Sequence, residues 1–224
     1  MINVEVVRVF VGIDGSGGSL LGIVRDGASV PDVVDRQDAA RRLGFSETMF
    51  VDDAVRGEVD IYTPSARMTF AGYPLVGTAW LLREHGVSLE VLRTDSGEVK
   101  TWFEGKFTWI RARAEWVSGK RTQQFSSVAE VDALPAPPAG EGWLYAWAWE
   151  DEIAGTVRAR GFPRRGDAIV EDEATGAAAI LLTGELGSGL RVRQGRGSEI
   201  VTRVSEAGWV ELGGRVAVDV KRPV

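Results

Sequence analysis

The chain contains no cysteine and a single histidine, His85. Without cysteine there is no disulfide, no thiol nucleophile and no thiolate zinc site. With one histidine, any Ser-His mechanism rests on His85 alone. Positive charge is also scarce. The 26 Lys and Arg stand against 32 Asp and Glu, a net charge of −6, whereas a nucleic-acid or anionic-membrane surface needs a basic patch. Neither nucleic acid nor membrane is therefore expected as a partner. Long apolar runs are missing too: the longest uncharged stretch, Met68 to Leu82, is interrupted by Thr69, Gly72, Pro74, Gly77 and Thr78 and falls short of the ~18 residues of a membrane helix. The N-terminal segment carries Glu5 and Arg8 between apolar residues, so it reads as a first strand rather than a signal peptide. The expected location is the cytoplasm.

What the chain has in quantity is glycine and tryptophan, 28 and 8 of its 224 residues. Glycine is at nearly twice its roughly 7% average, which suggests many strands and tight turns, and the length suits one large domain or two lobes sharing a cleft. The apolar segments at Val4–Val11 and Leu20–Val24 read as two strands joined by a glycine-rich loop. That loop has Leu20 where a dinucleotide fingerprint has its third glycine, and a strand follows it instead of a helix. It is either a flexible hairpin or a place where Gly18 and Ser19 line a site. Asp32 to Leu43 has helical spacing and stops at Gly44. Phe45 to Val51 alternates like a strand, with Glu47 on its apolar-facing register; the pattern alone leaves open whether that carboxylate is solvated or buried.

From Pro74 to Gly86 the chain is apolar on nearly every side, which predicts a buried central helix with His85 as a structural residue at its end. The second half repeats the device: after the acidic turn Glu171–Glu173, Gly176 opens an apolar stretch to Leu182, so that Gly176-Ala177 parallels Gly72-Tyr73. Helix starts carry unsatisfied N–H groups that attract anions, and two of them facing one cleft would clamp a carboxylate. The Pro-rich stretch Leu134–Gly140 marks a loop or lobe boundary. Two lobes are expected, 1–105 and 106–224, dividing between about 105 and 135, with the C-terminal segment able to pack back on the first. Trp143, Tyr145, Trp147 and Trp149 share one strand face, which is either sheet packing or an exposed carbohydrate platform.

Five segments taken in order resemble one family: Asp14–Leu20, Ser46-Glu47-Thr48-Met49-Phe50-Val51, Phe70-Ala71-Gly72-Tyr73-Pro74, Glu171–Ala178 and Gln194–Ser198. Together they are similar to the PhzF-like isomerases of phenazine biosynthesis. The resemblance implies the diaminopimelate epimerase fold, an α/β (α+β) architecture of two pseudo-repeated lobes, each a sheet wrapped round a central helix. It further implies a cofactor-independent isomerase, commonly a homodimer, that moves a proton between carbons of a small, unsaturated, carboxylate-bearing substrate. Glu47 occupies the proton-transfer position, where burial in a closed apolar cleft raises a carboxylate's pKa and lets it alternate as acid and base. Asp172 matches the second acidic position, expected to orient the substrate, and Gly18, Ser19, Gly72, Tyr73, Gly176 and Ala177 match the binding positions. No metal is implied. The match departs from the family at three of these: Tyr73 replaces a histidine, Ser19 an asparagine and Ala177 a serine. Tyr73 can donate a hydrogen bond but, with an ordinary pKa of ~10, is no near-neutral acid–base partner. The alternative is a carboxylate-binding protein that kept the cleft and lost turnover.

Overall fold

A computed structural model describes residues 2–117, 119–139, 142–165 and 168–219; Gly140 of the Pro-rich stretch lies outside the described residues. The first half contains β1 (Glu5–Val11), β2 (Ser19–Val24), α1 (Val33–Leu43), β3 (Thr48–Asp53), β4 (Glu58–Tyr62), β5 (Arg67–Met68), α2 (Gly72–Glu84), β6 (Val91–Thr94), β7 (Gly97–Glu104) and β8 (Phe107–Arg113). It continues through β9 (Arg121–Gln124), the short α3 (Val128–Asp132), β10 (Leu144–Asp151), β11 (Thr156–Phe162), β12 (Arg164–Arg165) and β13 (Ala168–Ile169). The remainder is α4 (Gly176–Leu186), β14 (Arg191–Gln194), β15 (Ser198–Val204) and β16 (Trp209–Val218). Among the described residues no helix is long and apolar enough to cross a membrane.

The internal repeat is visible in the strand pairing. The β3–β4 hairpin leads into α2, which emerges into β6 paired parallel to β4 and then the β6–β7 hairpin. The β10–β11 hairpin leads into α4, which emerges into β14 paired parallel to β11 and then the β14–β15 hairpin. Parallel neighbours need a crossover connection, and each central helix is that crossover. Hydrogen bonding runs from β1 through β2, β3, β4, β6, β7 and β8 to β16, and β16 pairs back to β1. This part of the sheet therefore closes, around α2. From β16 the sheet continues through β15, β14, β11 and β10 to β9, and α4 packs on β15 and β16.

Why α2 is inside follows from its composition. Tyr73, Leu75, Val76, Thr78, Ala79, Leu81 and Leu82 are all buried, on every side of the helix, so no face is left to meet water. His85 is its C-cap residue, and its Nε2 lies 2.9 Å from Glu5 Oε2, the structural role read from the sequence. Helix α1 is amphipathic and lies outside, with Ala39 and Ala40 packed on Val24, Phe50 and Tyr62.

The starts of α2 and α4 meet. A Cβ on Gly72 would lie 3.3 Å from the Ala177 nitrogen and 2.8 Å from Leu212 Cδ2, so a side chain there would crowd the start of α4, and glycine lets the two backbones approach closely. Phe10 wedges beside the junction at a register shift of β1 against β16, with φ +69° and no solvent exposure. A bulky residue rarely adopts that conformation, and it is accommodated because Gly214 and Gly176 present no side chain to the ring: their Cβ atoms would come within 2.2 and 3.0 Å of it.

Candidate active site

A cavity of about 160 Å³ opens at this junction, lined by Glu47, Gly72, Tyr73, Asp172, Gly176 and Ala177. Six of the eight residues singled out in the sequence are therefore together. The other two, Gly18 and Ser19, line a neighbouring cleft of about 700 Å³ that shares Asp172 with the first. Ser19 is structural in its bonding: it is buried, and its hydroxyl donates to the Ala174 carbonyl at 3.1 Å. Gly18 N–H donates to Ser198 Oγ at 2.8 Å, and Glu173 Oε1 accepts from Ser198 Oγ and the Arg196 amide. The first, fourth and fifth of the five segments thus interlock as one wall.

Glu47 is not on a strand, contrary to the alternating pattern: β3 begins at Thr48. Phe45 is buried with its ring over Gly22 of β2, where a Cβ would come within 2.5 Å of it, and Thr48 pairs with the same Gly22. With both anchors on Gly22 the segment between them leaves the sheet, and Glu47, half-buried, lines the cavity. The Tyr73 hydroxyl, in the first turn of α2, donates to Glu47 Oε2 at 2.5 Å and reaches the Leu20 carbonyl at 3.4 Å. One oxygen of the carboxylate is thereby held by a phenol that the central helix fixes in place.

On the far wall Asp172 is buried and accepts from Thr175 Oγ1 at 2.9 Å. Gln194 ties this turn down, donating to Thr175 Oγ1 at 2.8 Å and to the Asp172 carbonyl at 2.9 Å. Its carbonyl oxygen accepts from the Thr175 amide and from Tyr145 Oη. Burial raises the Tyr145 phenol far above its ordinary pKa, which keeps it a neutral donor. Gln194, Thr175 and Tyr145 are site residues that the sequence reading does not single out, although Gln194 and Thr175 stand inside the family-like segments Gln194–Ser198 and Glu171–Ala178.

Neither α2 nor α4 has a side-chain cap at its N-terminus; Ala71 and Thr175 make no such bond. The first residues of both helices, Gly72, Tyr73, Gly176 and Ala177, line the cavity, so the positive ends of both dipoles stand at it. Much of the remaining wall is apolar, from Met68, Phe70, Trp116, Val117 and Trp143, with Thr63 and Arg164 beside them. A dry cavity of about 150 Å³ holds a benzene ring, so this one is sized for a single ring. Lys120 also lines it, with Nζ 5.4 Å from the centre of the Trp143 ring. Burial pushes its ammonium below the ordinary lysine range, and the Glu47 carboxylate opposes that fall. No sequence pattern pointed to Lys120 or Trp116. Among the described residues no cluster of three His, Asp or Glu is arranged to hold a metal ion.

The aromatic strand face is core, not a carbohydrate platform. Tyr145 and Trp147 are 0% and 4% exposed, so they present no stacking surface to a sugar. Trp143 precedes β10 instead of lying on it, and serves as a cavity wall.

Comparison with solved structures settles the architecture. The chain superposes on a phenazine biosynthesis protein of the PhzF family from Bacillus anthracis with a TM-score of 0.76, covering 97% of this chain and 96% of that one at 18% identity. A PhzF-family protein from Enterococcus faecalis gives 0.76, with 96% and 95% covered at 17% identity. The chain has the PhzF fold. This is the architecture that the five segments implied, and in it the two uncapped helix starts, side by side, line one cavity. No family model matches the sequence. A curated relative from Pasteurella multocida, described as the uncharacterized isomerase PM1503, is 28% identical over 89% of this chain and 86% of its own length.

Proposed function

We propose that the protein is a cofactor-independent isomerase of the PhzF type that moves a proton between two carbons of a small, ring-sized, unsaturated carboxylate. The observation that carries this reading is the 2.5 Å bond from Tyr73 Oη to Glu47 Oε2, made inside a mostly apolar cavity that also receives two uncapped helix starts. Glu47 is the proton-transfer residue: its carboxylate takes a proton from a carbon conjugated to the substrate carboxylate and returns it to a second carbon. Tyr73 fixes the orientation of that carboxylate, taking a different part from the histidine it replaces, since the phenol remains a donor at neutral pH. The substrate carboxylate is held at the starts of α2 and α4, where partial positive charge and free N–H groups converge. Asp172, oriented by Thr175 and Gln194, addresses a polar ring substituent. A homodimer in the cytoplasm is the assembly that belongs with this reading, and it rests on the sequence resemblance alone.

Glu47→Gln preserves size and hydrogen bonding but cannot carry a proton. With unsaturated ring carboxylates supplied in D2O, the wild type is expected to place deuterium on a substrate carbon, read by NMR. The variant is expected to do so ~10²–10⁴ times more slowly, the usual contribution of general acid–base catalysis. An unimpaired variant overturns the mechanism.

A further inference from the structure

The cavity as described has a charge problem. Glu47 and Asp172 both line it, and a helix N-terminus supplies only about half a positive charge. Two helix starts therefore no more than offset one carboxylate, which leaves a substrate anion facing net negative charge. A full positive charge has to come from a side chain, and among the described residues the cavity is lined by two cations, Lys120 and Arg164. Arg164 is an exposed rim residue. Lys120 stands within.

Its placement is set by the sheet. Lys120 immediately precedes β9, whose Arg121 pairs in parallel register with Leu144 at the start of β10. The residues one step earlier on each strand, Lys120 and Trp143, are thereby neighbours, and the ammonium lies over the indole ring at 5.4 Å. Lysine is scarce in this chain, at four positions, and Lys100 and Lys106 are exposed on the surface. Beside Trp143, Trp116 and Val117 the ammonium is poorly solvated, and a charge in such surroundings acts on a nearby anion with less screening than in water.

We propose that Lys120 completes the anion site: its ammonium binds the substrate carboxylate together with the two helix starts, and neutralises the charge that flows into that carboxylate when Glu47 removes the proton. This rests on the isomerase reading above. In the step, a C–H bond breaks and the proton goes to Glu47. The electron pair delocalises through the unsaturated system into the carboxylate beside Lys120. A new C–H bond then forms at the second carbon as Glu47 gives the proton back. Lys120 keeps its protons throughout, and nothing is oxidised or reduced.

Benzoate, a ring-sized carboxylate, is the probe. Titrated calorimetrically against the wild type it should bind, and it should slow acetylation of Lys120 by acetic anhydride, read by mass spectrometry, while Lys100 and Lys106 react unchanged. Lys120→Met, with its fold checked by circular dichroism, should bind benzoate at least tenfold more weakly, and Arg164→Ala should lose less than threefold. Glu47→Gln should bind it more tightly than the wild type, since a negative charge is removed from the same cavity. Failure of the wild type to bind benzoate, binding without protection of Lys120, or equal affinity in Lys120→Met overturns the inference. Because these readouts need no turnover, loss of the Glu47 mechanism would leave them standing, and their failure would leave the proton-transfer test untouched.

Discussion

Helix α1 begins at Asp32, whose carboxylate accepts from the Val34 and Asp35 amides at 2.7 and 3.4 Å, and it ends at Gly44 in the left-handed conformation with Arg41 and Arg42 in the last turn. Helices α2 and α4 begin at Ala71 and Thr175 without any side-chain cap. The difference is not one of quality. A surface helix can complete its own orphan N–H groups with one polar residue, and α1 does so because nothing else is meant to reach that end. The central helices are the better buried of the two kinds, yet neither has a side-chain cap, and the first residues of both line the cavity. Structure is finished locally in α1. In α2 and α4 no side chain of the N-cap residue finishes it, and both starts line the cavity.

The ion pairing follows the same division. Arg36 of α1 is spent wholly on the fold: it bonds Asp60 Oδ2 at 3.0 Å, Asp52 Oδ2 at 3.1 Å and the Val30 and Gly27 carbonyls, and its side chain is 8% exposed. Arg36→Met should therefore give the largest loss of stability, about 3 kcal/mol. That is the low end for stranding a buried partner, because Arg67 still reaches Asp60 at 2.7 Å. Chemical denaturation measures it, and benzoate affinity should not change. A loss under 1 kcal/mol would mean that Arg36 is not the clasp holding α1 to the sheet. Asp32→Ala is the next in size: losing the cap should cost about 1 kcal/mol, again without effect on the cavity.

Much of this was legible in the chain because the signals were local. Asp32 and Gly44 bracket α1, the run from Leu75 to Leu82 is too apolar to lie anywhere but inside, and Gly72 and Gly176 repeat at the two helix starts. Glu47 was legible as a residue but not as a position. Its alternation with Phe45 and Met49 is that of a strand, while the docking of Phe45 over Gly22, a contact made across the sheet, lifts the segment out of it. Lys120 was not legible at all. It stands in a connection with no periodicity, 73 residues from Glu47 in the numbering, and only the parallel pairing of β9 with β10 brings it to the site. Aromatic runs mislead for the same reason. Trp147 and Trp143 look alike in sequence, yet one is core and the other a cavity wall, because β10 begins between them.

The smallest effect tests the comparison most directly. If the starts of α2 and α4 are unfilled by design, a small anion should stabilise the protein through them and not through α1. Sulfate at a concentration equal to its dissociation constant would contribute about 0.4 kcal/mol, a rise in Tm of about 1 °C for a chain of this length. Sulfate also stabilises proteins generally by exclusion from their surface, so the wild type alone decides nothing. Ala71→Ser supplies the control. Ala71 is the N-cap of α2, already has the extended backbone that a capping residue adopts, and lines the cavity, so a serine hydroxyl there can accept from an N–H of the first turn as Asp32 does in α1. The variant should be as stable as the wild type to within about 1 kcal/mol and should lose the saturable part of the sulfate response while keeping the general part. Asp32→Ala should keep both. A saturable response that survives Ala71→Ser and disappears in Asp32→Ala would reverse the assignment, making α1 the helix that waits for an anion and α2 the one complete in itself.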